Sequence, residues 1–149
     1  VSSPDPGILF EERIMSDEEQ QSAGPTPYEL MGGEARVFEL VDRFYDLMDE
    51  APEYYALRKM HPPTLDGSRD KLKWFLSGWL GGPPLYFEKV GHPMLRARHL
   101  PYAIATEERN QWLACMFSAM EDTGVPEELK QPLQEAFFGT ADWMRNKEG

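Results

Sequence analysis

Residues 91–101 read Gly91-His92-Pro93-Met94-Leu95-Arg96-Ala97-Arg98-His99-Leu100-Pro101. Between the two prolines there is room for about two helical turns, because Pro101 cannot continue a helix. His99 is therefore expected at the end of a short helix. Upstream, Leu72, Phe75, Leu76, Trp79 and Leu80 recur at three-and-four spacing, a broad apolar stripe that Gly81-Gly82-Pro83-Pro84 ends. The other side of that helix carries Arg69, Asp70, Lys71 and Lys73, and a connection from Leu85 to Gly91 follows it. Downstream, Thr106 is the expected N-cap of a helix with Glu107 and Glu108 in its first turn, running through Trp112, Leu113, Met116, Phe117 and Met120 to near Gly124. A last helix opens at Pro126 and aligns Leu129, Leu133, Phe137, Thr140 and Met144; Pro132 should kink it or delay its start.

Toward the N-terminus, Val37, Val41, Phe44 and Met48, with Leu40 and Leu47 beside them, predict an amphipathic helix from near Glu34 to Pro52. A short helical turn from Pro27 through Met31 precedes it, closed by Gly32-Gly33. Residues 53–67 should hold a short helix and then an irregular corner, given His61, Pro62, Pro63, Asp66 and Gly67. No alternating pattern longer than about four residues suggests a strand, so the fold class is all-α. Residues 1–26 set Asp5, Glu11, Glu12, Asp17, Glu18 and Glu19 against Arg13 alone and read as an acidic N-terminal extension. Ile8, Leu9, Phe10, Ile14 and Met15 give that extension one short helix that packs on the body, which is a single domain over residues 27–149.

Composition narrows the function. With 149 residues, 41% hydrophobic and 28% charged, the chain suits one globular domain with one sizeable core. A formal net charge of −11 argues against nucleic acid and against an anionic membrane surface, both of which attract basic patches. No apolar run reaches the roughly 18 residues of a membrane span, and a signal-peptide layout is not seen. Cys115 is the single cysteine, so neither an intrachain disulfide nor a cysteine-cluster metal site is available, and the cytoplasm is the expected location.

Phosphate loops, nucleophile elbows and zinc-binding helix motifs are all missing. The three histidines, His61, His92 and His99, do not share a helical turn, which argues against a three-histidine zinc site. A one-histidine site points to a cofactor that brings most of its own ligands, and haem is the common one. Phe44, Leu72, Phe75, Leu76, Trp112 and Met116 can form a flat apolar slot, and Lys71, Arg96 and Arg98 can supply cations for the propionates. His92 lies in a loop before a proline and stays outside that site, and Cys115 reads as a small buried apolar residue.

Gly32-Gly33-Glu34-Ala35, Arg43-Phe44-Tyr45, Gly81-Gly82-Pro83, the Gly91 to His99 stretch and Trp112-Leu113-Ala114-Cys115-Met116 occur in this order and spacing. Together they resemble a group II truncated haemoglobin over about residues 28–124. The resemblance implies a truncated globin fold, helices packed two over two around haem b (iron protoporphyrin IX), and His99 as the proximal iron ligand. It assigns three distal polar groups, Tyr45, Trp112 and His61, and places Ser68 toward the ligand from the third helix, the one with the Leu72 to Leu80 stripe, where a small residue leaves space for entry. Dioxygen held at iron carries partial negative charge, which a phenolic O–H and an indole N–H can stabilise away from water.

Taken singly, His99 would be a helix-capping histidine and Tyr45 and Trp112 core residues; the joint match makes them a site. The implied activity is reversible binding of dioxygen, nitric oxide and carbon monoxide. Nitric oxide dioxygenation, peroxidase-like turnover or nitrite reduction could use the same site with an electron-donating reductase, and whether the chain is an enzyme stays open. The rival reading is a haem-free, globin-like sensor or interaction module. A monomer and a homodimer both remain open.

Overall fold

A computed structural model of the chain describes residues 25–92, 94, 99 and 104–145. The short helix expected within residues 1–24, and Arg96 and Arg98, lie outside the described residues. Every regular element described is helical: α1 (Pro27–Met31), α2 (Glu34–Glu50), a 3-10 turn (Pro52–Tyr54), α3 (Tyr55–Arg58), α4 (Asp66–Trp79), α5 (Leu85–Lys89), α6 (Thr106–Asp122) and α7 (Glu127–Trp143). His99 is itself in helical conformation.

α2 is the hub. Val37, Leu40, Val41, Phe44, Tyr45 and Met48 all point inward at helical spacing, and full burial of such a side chain is worth about 1.5–3 kcal/mol. α2 packs on α4 and on α6, and α6 packs on α7, so the α2–α4 pair lies over the α6–α7 pair. The stripes that predicted these helices are the surfaces that meet.

The N-terminal turn is fastened at both ends. Thr26 Oγ1 accepts from Glu29 N at 3.2 Å while Glu29 Oε1 accepts from Thr26 N at 3.0 Å, a reciprocal cap with Pro27 in the first helical position. Tyr28 N donates to Leu80 O at 2.9 Å, which lays α1 against the end of α4. This contact explains the Gly81-Gly82 pair. Gly81 has φ +97, and a β-carbon on Gly82 would lie 2.5 Å from the Tyr28 ring. Gly82→Ala should therefore lower stability by about 1–3 kcal/mol through overpacking against that ring, read as a fall in the urea midpoint. An unchanged midpoint would mean that the turn moves away freely.

Three sequence expectations need correction. The connection from Leu85 to Gly91 contains helix α5; Pro83 and Pro84 stand just ahead of it, where their lack of an N–H costs nothing, and Glu88 N donates to Pro84 O at 3.1 Å. Thr106 is the first helical residue of α6 and Ala105 occupies the cap position. The cap is made by Glu108 Oε1, which accepts from Ala105 N at 2.9 Å; alanine has no side-chain acceptor to complete a reciprocal box. Pro132 does not delay α7, which begins at Glu127 and runs through it. The proline is on the exposed side, where a carbonyl that loses its N–H partner can be solvated.

Candidate functional site

Tyr45 follows Phe44 on α2 and is only 6% exposed. Its ring is held edge-on by Phe44, with centroids 4.9 Å apart, and by His61 at 5.9 Å. No hydrogen bond to its hydroxyl is found among the described residues. Burial pushes the phenol pKa above its ordinary value, an effect that the nearby Arg69 charge opposes. Tyr45 is therefore a protonated O–H donor at neutral pH.

Trp112 approaches from α6. Its ring lies 5.3 Å from Phe44 and 5.6 Å from Phe137, it is half-buried, and its indole N–H has no hydrogen-bond partner among the described residues. Phe44 is thus in ring contact with both candidate donors.

His61 sits in the corner after α3, and this corner is pinned by residues that have no motif. Arg58 donates to Pro62 O at 2.9 Å, to Pro63 O at 2.7 Å and to Asp49 Oδ1 at 2.8 Å. Gln111 Oε1, next to Trp112, accepts from Leu57 N at 2.9 Å. His61 Nδ1 lies 3.0 Å from Leu57 O, so Nδ1 carries the proton and donates. Burial chiefly lowers the His61 pKa, with the Arg58 and His99 charges adding to it against the bond to Leu57 O. The neutral ring then holds its lone pair on Nε2, an acceptor and potential metal ligand rather than a donor. That influence also places His99 electrostatically within reach of His61.

His99 is half-buried. Phe44, Leu76 and Met116 are fully buried, at 0%, 1% and 0% exposure, while Leu72 and Phe75 are only partly covered though packed on the core. Ser68 is half-buried and Lys71 is exposed. Arg69 and Lys73, on the side of α4 away from its apolar stripe, reach α2: Lys73 Nζ is 3.1 Å from Asp42 Oδ1, and Arg69 bridges Asp42 and Asp46. His92 is exposed, with Nδ1 accepting from Met94 N at 3.2 Å. Cys115 is buried, its thiol donates to Phe44 O at 3.1 Å, and burial pushes its pKa up to about 12, which leaves it inert. Among the described residues no group of three or more metal-ligating side chains gathers, and no helix is long and apolar enough to cross a membrane.

The residues present fit a haem. The fit rests on two uncommitted donors of neutral charge, Tyr45 and Trp112, beside apolar side chains that the rest of the chain leaves partly uncovered, with a half-buried imidazole at His99. Such a donor set suits a cofactor that supplies its own equatorial ligands.

Comparison with known proteins points the same way. The family model described as bacterial-like globin matches residues 26–146. The Group 2 truncated hemoglobin YjbI of Bacillus subtilis is 43% identical over 121 residues, covering 81% of this chain and 89% of that protein. Among solved structures, a group II 2-on-2 hemoglobin from the plant pathogen Agrobacterium tumefaciens shares 42% identity with a TM-score of 0.82, covering 87% of this chain and 100% of its own. The cold-adapted truncated hemoglobin of the Antarctic marine bacterium Pseudoalteromonas haloplanktis shares 43% identity with a TM-score of 0.79, covering 82% of this chain and 98% of its own. With its helix pairs laid two over two and its sequence alike across nearly the whole described body, the chain belongs to the bacterial-like globins, as a group II truncated haemoglobin.

Proposed function

We propose that the chain holds haem b through His99 and binds dioxygen and related diatomic ligands reversibly on the side where Tyr45 and Trp112 stand. The observation that carries this reading is the pair of donors, a phenolic O–H on a residue 6% exposed and an indole N–H on a half-buried one, both against Phe44 and without hydrogen-bond partners among the described residues. Two donors left uncommitted beside apolar side chains are available to a ligand. Haem, when bound, supplies the iron to which the diatomic ligand attaches.

The chain's own residues do the rest. His99 offers one imidazole nitrogen. Tyr45 and Trp112 donate toward the partial negative charge of the ligand. His61 keeps Nε2 as an acceptor and braces the edge of the Tyr45 ring. Phe44, Leu72, Phe75, Leu76 and Met116 keep water away, and Ser68 leaves an entry between α4 and the ligand. Lys71, which makes no ion pair with a described residue, is assigned with Arg96 and Arg98 to the propionates.

Oxygen avidity is stated of the Bacillus subtilis haemoglobin structure, to which this chain is 43% identical with a TM-score of 0.75; tight dioxygen retention is the expected behaviour here. Redox turnover of nitric oxide, peroxide or nitrite would use the same residues and require an electron-donating reductase. The test is the visible spectrum of purified protein loaded with haemin, ferric and dithionite-reduced. A Soret band at one haem per chain and uptake of carbon monoxide by the reduced form support the proposal. Failure to bind haem stoichiometrically would overturn it in favour of a haem-free helical module.

A further inference from the structure

Resting on that reading, we propose that Arg69 is a positioning residue that sets how strongly Tyr45 holds a ligand. Arg69 is in the first turn of α4, directly after Ser68. Its guanidinium donates to Asp46 Oδ1 at 2.7 Å, to Asp42 Oδ1 at 3.2 Å and to Asp42 O at 3.1 Å. Asp42 and Asp46 flank Tyr45 on α2, so the fork straddles the very turn that carries the phenol. The guanidinium carbon lies 5.8 Å from the centre of the Tyr45 ring, a cation–π arrangement.

Two consequences follow from this geometry. The ring is braced on a third side, after Phe44 and His61, and cannot swing without displacing a guanidinium that two carboxylates hold. The positive charge also draws electron density from the ring, which makes the hydroxyl a better donor. The same charge opposes the rise in phenol pKa that burial causes. With a side chain only 23% exposed, Arg69 is more shielded than its two carboxylate partners, at 46% and 45%. Lys73, one turn further along α4, pairs with Asp42 alone and lies over Phe38, not Tyr45.

The test compares wild type with Arg69→Met and Arg69→Lys. Arg69→Met should release dioxygen about fivefold faster and move the carbon monoxide stretching band to higher frequency, with Arg69→Lys, which keeps charge without the fork, falling between. In a Tyr45→Phe background Arg69→Met should change neither quantity. Wild-type values in Arg69→Met, or an equal change with and without the Tyr45 hydroxyl, would overturn the proposal. A readout that needs no haem separates this from the parent reading: Tyr45 ring-flip rates, by carbon-13 NMR of the purified chain, should rise in Arg69→Met. A protein that binds no haem yet shows this rise would retain the clamp and lose the haem function, whereas unchanged flips remove the clamp. Should Arg69→Met not fold, Asp46→Asn frees one arm of the fork and carries the same expectations at smaller size.

Discussion

His99→Ala should raise the rate at which haem passes to an excess of apomyoglobin by at least about a hundredfold, equivalent to the loss of about 2.8 kcal/mol of binding. The substitution removes the chain's proposed coordinate bond and leaves the apolar walls and the cations in place, so the loss falls on iron coordination rather than on the fit of the macrocycle. His99 is half-buried, and shortening such a side chain should leave the haem-free chain folded, with an unchanged far-ultraviolet spectrum. Because bound haem stabilises only the folded state, the variant should also lose the rise in melting temperature that wild type gains on loading. His61 offers the one complication: a neutral imidazole with its lone pair on Nε2 and electrostatically within reach of His99 can take over iron in the variant. Any residual low-spin Soret band in His99→Ala should then vanish in the double variant with His61→Leu. Haem transfer at the wild-type rate in His99→Ala would remove His99 from the site.

The long helices were legible because each repeats an apolar residue every three or four positions over four turns or so, and burial follows that stripe almost residue by residue in α2. α5 was not legible, since five residues give too short a window for any period to register. Proline was read there as a stop, whereas Pro83 and Pro84 also begin the next turn. Threonine is a good cap by type, which puts the expected cap at Thr106, one residue after the true cap at Ala105, where the bond that closes the turn comes from Glu108 reaching back to a backbone N–H. The site divides in the same way. Tyr45, Trp112, His61 and His99 were reached through a resemblance, since no spacing rule singles them out. Arg58, Arg69 and Gln111, which brace them, escaped because their partners lie elsewhere: Arg69 meets Asp42 and Asp46 across 27 and 23 residues. A trace of that pairing was present in the sequence. Asp42 and Asp46 are four apart on α2, Arg69 and Lys73 four apart on α4, so each helix shows one sign of charge along one face. Knowing that those faces meet requires the fold.

Tyr45→Phe should speed dioxygen release about ten- to a hundredfold while raising the stability of the haem-free chain. Both effects come from one atom. A charge-assisted hydrogen bond contributes about 1.5–3 kcal/mol, and each 1.4 kcal/mol is a factor of ten in an equilibrium constant. When dissociation carries that loss, the rate changes by the stated amount. Trp112 remains as a second donor in the variant, which sets the lower end; Trp112→Phe made alone and together with Tyr45→Phe measures how far the two act as a unit. Carbon monoxide accumulates less negative charge than dioxygen, so its release should change far less. A packing defect would accelerate both ligands alike. In the absence of a ligand, the hydroxyl belongs to a residue only 6% exposed and has no hydrogen-bond partner among the described residues, and removing such a group partly from water without a partner costs about 1 kcal/mol. Phenylalanine keeps the edge contacts to Phe44 and His61 and removes the unmet group, so melting of the haem-free variant should move up by about 2–5 °C. A higher melting temperature together with faster ligand loss is the pattern expected where a site holds a polar group for its ligand at the expense of the fold. An unchanged dioxygen release rate would take Tyr45 out of ligand retention, and a lowered melting temperature would mean that the hydroxyl already has a partner in the haem-free chain.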